Sequence, residues 1–85
     1  MNPFTYTKNP QTAAEMQDNA NHHWFEKMAA EDLRAEAEDY LTTFRGDSVA
    51  RAGAISAARD AHDAVRHHER EHRDWAARAR KARAV

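Results

Sequence analysis

Cysteine is absent from this 85-residue chain, which excludes a disulfide framework and thiolate chemistry and fits a reducing compartment. Glycine and proline number two each, too few for a flexible tail, and no glycine-rich loop is present to cradle a phosphate. Long apolar runs are also missing. No stretch approaches the roughly 20 residues that a membrane span needs. Large core-building side chains are scarce, because nineteen of the 35 apolar residues are alanine. Leu, Ile, Val and Phe together number nine, below the ~20% level at which disorder becomes an option. Disorder also calls for a strong net charge, and here the net charge is −1. The abundant residues, Ala, Arg and Glu, are helix formers. The composition therefore describes a helical chain that is short of core.

The apolar spacing predicts an all-α fold: two long antiparallel helices forming a hairpin, with an extended N-terminal arm at residues 1–9. In the arm, Pro3 and Pro10 oppose helix, while Phe4 and Tyr6 alternate with threonines as a docked strand would. Helix 1 is read over about 10–45, opened either by Asn9 with Pro10 or by a Thr12–Glu15 capping box. Its poor formers at 17–23 suggest a kink or restart. Gly46 reads as a left-handed stop, with the turn at 46–47 and Asp47 or Ser48 as the next cap. Helix 2 is read over about 48–83, with Gly53 permitting close backbone approach.

The stripe read on helix 1 is Phe25, Met28, Ala29, Leu33, Ala37, Tyr40, Leu41 and Phe44, widened by Trp24. On helix 2 it runs through Ala52, Ile55, Ala58, Ala61 or His62, Val65, His68 or Glu69, His72, Trp75 or Ala76, and Ala79. Such a rod is only two helices wide, and alanine contributes little burial. A bundle completed by self-association or by a larger protein is therefore expected. Charge favours such pairing: residues 1–46 carry eight acids and four bases, and residues 47–85 six acids and nine bases.

Six histidines are the compositional outlier. In a hairpin centred on Gly46, His22, His23 and Glu26 fall level with residues 70, 69 and 66. The run His68-Glu69-Arg70-Glu71-His72 matches H-E-x-x-H and resembles the zincin metallopeptidase signature. On a helix that spacing lets two imidazoles share a zinc ion, with a carboxylate beside its water. The context is poor for a peptidase, because no sheet is predicted to align a substrate. Glu69 and His72 also carry the Glu-x-x-His spacing used in ferritin-like carboxylate bundles, with Glu26 as a partner across the hairpin. The metal candidates are thus His22, His23, Glu26, His68, Glu69 and His72, for zinc or iron, although no cofactor is the first expectation. His62 and His72, if neutral in a seam, would instead make association sensitive to acid.

The leading functional reading is a small non-enzymatic interaction module, a homodimer or an adaptor or inhibitor on a larger protein. Its contact residues would be Phe4, Tyr6, Trp24, Phe25, Met28, Leu33, Tyr40, Leu41, Phe44, Ile55, Val65 and Trp75. A weaker alternative is phosphate contact by Arg73, Arg78, Arg80, Lys81 and Arg83, which Asp74 interrupts. The tripeptides Asn2-Pro3-Phe4 and Arg45-Gly46-Asp47 match short adaptor and integrin motifs, but three-residue matches carry no weight. Ten arginines against three lysines suggest a GC-rich genome, as for small bacterial or phage proteins. The first ten residues hold neither a basic leader nor an apolar stretch, so a cytoplasmic protein is expected.

Overall fold

The computed structural model describes residues 1–43 and 46–84. Two helices, α1 (Ala13–Thr43) and α2 (Ser48–Arg83), pack as an antiparallel hairpin measuring 58 × 20 × 17 Å. α1 begins at Ala13 rather than at Pro10 because the capping box forms. The Thr12 hydroxyl accepts from Glu15 N–H at 3.1 Å, and the Glu15 carboxylate accepts from Thr12 N–H at 3.1 Å. Glu15 also takes the N–H of Gln11, which holds the residues before the helix outside it. The stretch 17–23 is continuous helix, so α1 does not restart there. Asp47 caps α2, its carboxylate accepting from Ala50 N–H at 2.8 Å. The expected end of helix 1 at 45, the contact residue Phe44, and the backbone that would set Gly46 in a left-handed stop lie outside the described residues.

The seam alternates steps of four and three on both helices. On α1 it runs Met16, Ala20, His23, Lys27, Ala30, Arg34, Ala37 and Leu41, and on α2 Ala54, Ala58, Ala61, Val65, His68, His72, Trp75 and Ala79, all buried or half-buried. This is the a/d spacing of a coiled coil. Alanines bring the backbones close; Val65 and Trp75, 5% and 6% exposed, supply the larger volume. The long stems of Lys27 and Arg34 cover apolar surface while their charges reach water.

The stripe expected on α1 is therefore corrected. Of its described residues, only Ala37 and Leu41 lie in the seam; Met28 is 43% exposed and Leu33 62%, and Trp24 beside them 47%. α1 carries apolar residues around most of its circumference, and close approach selects the small ones. The α2 seam holds from Ala58 onward, but Ala52 and Ile55 are exposed and Ala54 takes their place. Gly53 faces open space, with nothing within 4 Å of the point where a methyl group would stand, so no close approach explains it. Gly53→Ala is expected to raise stability by about 0.5–1 kcal/mol in thermal or urea unfolding.

Candidate functional site

The arm lies along its own helices at the end of the hairpin away from the turn. Asn19, fully buried on α1, pins it with a two-way contact: its carbonyl accepts from Thr7 N–H at 2.7 Å and its amide donates to Thr7 C=O at 2.8 Å. Nearer the N-terminus, the two amide protons of Asn2 go to His22 C=O at 2.9 Å and the Glu26 carboxylate at 3.0 Å. His22 Nδ1 lies 2.9 Å from the same Asn2 amide nitrogen and 3.2 Å from Phe4 C=O, so its tautomer decides which of the two contacts is a hydrogen bond. Tyr6 then rests over the hairpin, edge-on to Trp75 at 6.3 Å and against His22 and His23 at 5.5 and 5.6 Å.

Beneath it, four imidazoles gather. His23 and His68 meet across the seam with their Nδ1 atoms 2.9 Å apart, so one of the two nitrogens carries the proton that the other accepts. His67 and His22 flank this pair, with ring centroids 5.0 Å from His68 and 5.4 Å from His23. Burial holds the pKa of both seam imidazoles below the usual histidine value, and the neighbouring histidines lower it further. Glu71 opposes the shift at both positions, and Glu26 also does so at His68. His62 and His72, expected to lie in a seam, are not this pair. His62 is exposed, and His72 is half-buried, donating through Nδ1 to Ala20 C=O at 2.8 Å.

Protons are taken up by these two groups at higher pH in the unfolded chain than in the folded one. Their contribution is complete above about pH 6.5 and is lost as pH falls through the lowered folded values. The thermal midpoint should therefore be lower at about pH 5 than at about pH 7.5, and His68→Gln should flatten that slope. A midpoint independent of pH in the wild-type chain would contradict the pairing.

The six residues read as metal donors are divided by the fold. His22 and Glu26 hold the arm, His23 and His68 face each other, His72 engages Ala20, and Glu69 lies on the opposite side of the hairpin, 3.6 Å from Lys27. Among the described residues no three His, Asp or Glu side chains are placed to hold one ion. His68 and His72 do share the seam face, as H-E-x-x-H spacing requires, but Glu69 does not sit beside them there. Of the basic residues read as phosphate contacts, Arg78 lies over the Trp75 ring at 4.0 Å, while Arg73, Arg80, Lys81 and Arg83 are exposed.

Among the contact residues, Val65 and Trp75 are buried in the seam, Phe25 and Leu41 are half-buried, and Trp24, Met28, Leu33, Tyr40 and Ile55 are exposed. Asn19 and Asn2 escape the sequence reading. The only signal at Asn19 is its poor helix propensity, which points to a kink rather than to a latch. No protein-family model matches the chain, and no curated protein or solved structure matches it.

Proposed function

We propose that this chain is a small non-enzymatic protein–protein interaction module, acting in the cytoplasm, whose outer surface is covered by another chain. The observation that carries this reading is the inversion of burial. The seam is built mainly from alanine and histidine, while Trp24, Met28, Leu33, Tyr40 and Ile55 stay 40% or more exposed. Five large apolar side chains left in water by so small a rod are what a partner chain would cover. No helix among the described residues is long and apolar enough to cross a membrane, so a bilayer-spanning segment is not what these residues form.

The metal reading has less support, because its donors are spread over both sides of the hairpin. Native mass spectrometry of untagged protein from its own cells tests the proposal, and a mass above that of one chain is expected. Leu33→Asp and Val65→Asp sharpen it. Leu33→Asp should keep full helicity, because the side chain is 62% exposed, whereas Val65→Asp should unfold the hairpin by burying a charge. A chain that is always a lone monomer with nothing bound would overturn the reading.

A further inference from the structure

Both helices carry a second stripe, one residue after each seam position, and the two stripes share one side of the hairpin. The Lys27–Glu69 ion pair, which bridges α1 and α2 at 3.6 Å, marks that side; the arm occupies the other. The exposed residues of this stripe include Trp24, Met28, Glu31, Ala35 and Glu38 on α1, and Ile55, Arg59, His62, Arg66, Glu69 and Arg73 on α2. One half of this face is therefore acidic with large apolar residues, and the other half is basic apart from Glu69, whose charge Lys27 offsets within the chain. None of the α2 arginines makes an ion pair among the described residues, where the pairs formed are Lys27–Glu31, Lys27–Glu69 and Arg34–Glu38.

Resting on the interaction reading above, we infer that the occupant of this face is a second copy of the chain, laid face to face about a twofold axis parallel to the helices. That operation sets each α1 against the partner's α2 and makes every neighbouring pair antiparallel, as in an up-down four-helix bundle. It also preserves height. Facing residues within the hairpin have numbers that add to 91 or 92, as for His23 with His68 and Ala20 with His72. Glu31 then falls within a turn of the partner's Arg59, and Met28 lies between the partner's His62 and the partner's Arg66.

The alternative pairing, α1 against the partner's α1, would oppose Glu31 and Glu38 with like charges, which is repulsive. A polyanion would satisfy the arginines but leave Trp24 and Met28 uncovered.

Two charge-reversed chains test the pairing: Glu31→Arg with Glu38→Arg, and Arg59→Glu with Arg66→Glu. By sedimentation and native mass spectrometry, the wild-type chain should be a dimer, and each variant alone should dimerise at least about 100-fold more weakly. An equimolar mixture should restore a one-to-one heterodimer, because both cross-pairs are then complementary. Circular dichroism should show both variants helical. Should either lose its fold, the salt dependence of the wild-type dimer still decides the matter, since its affinity should fall as ionic strength rises. Wild-type-like homodimers of either variant, no heterodimer from two folded variants, or a salt-insensitive wild-type dimer would overturn the pairing. A wild-type chain that is monomeric alone but bound to a different protein in its own cells would overturn this inference and leave the interaction reading standing; one that is monomeric and unbound would overturn both.

Discussion

Trp75→Ala is expected to cost about 3–5 kcal/mol, the range for removing a buried aromatic from a core. Trp75 is 6% exposed, and among the described residues the other buried apolar ones are Val65 and four alanines. Its loss also removes the surface on which Tyr6 and the Arg78 guanidinium rest. A chain of this length has a total stability of only about 4–13 kcal/mol by its size, so the variant should lose a large share of it. Urea unfolding followed by far-ultraviolet dichroism measures the change, and Trp75→Phe should recover most of it. A cost below about 1 kcal/mol would show that Trp75 is not the anchor of the seam.

Asn19→Ala should release the arm. The substitution leaves Thr7 without partners for both its N–H and its C=O, and removes a fully buried polar side chain from α1. Loss of such a paired contact costs about 1–3 kcal/mol. Most of that should appear locally, as amide exchange at Thr7 accelerated by about tenfold to a hundredfold. Helix α1 itself should gain slightly, because alanine is the better helix former. Unchanged protection at Thr7, measured by hydrogen exchange, would mean that the arm is held without Asn19.

Much of this architecture is legible in the chain. The hairpin follows from two long stretches of good helix formers around Gly46, the α2 cap from Asp47, and the α2 seam from Ala58 to Ala79. The level of the histidine clusters is also readable to within one residue, since a turn centred on Gly46 sets His23 opposite residue 69 and it faces His68. The inward side of α1 is not. Periodicity locates the largest apolar residues, and Phe25, Met28, Leu33 and Tyr40 recur at helical spacing. Close approach of two backbones instead favours Ala20 and Ala30 beside Ala37, so most of the conspicuous stripe lies off the seam. The candidate site resists reading for a different reason. Asn19 and Asn2 act by meeting the polar backbone of distant segments, and such contacts leave no periodic trace in sequence. The metal set does not assemble because i,i+3 and i,i+4 spacing fixes a face but not the partner that each side chain finds there.

The distribution of distinctive residues along the seam also bears on how the hairpin forms. Next to the turn the two helices meet mainly through alanines, where one alignment differs little from another. The contacts that distinguish the native alignment, His23 with His68 and His72 with Ala20, join residues 45 and 52 positions apart. Closing a loop of that size costs about 2 kcal/mol more in chain entropy than closing one a tenth as long. Zipping from the turn is quick but uninformative, so productive folding waits for the two far ends to find each other. For a purely helical protein this places the rate-limiting encounter at unusually long range, with a folding time closer to that of mixed folds than to that of compact helical bundles.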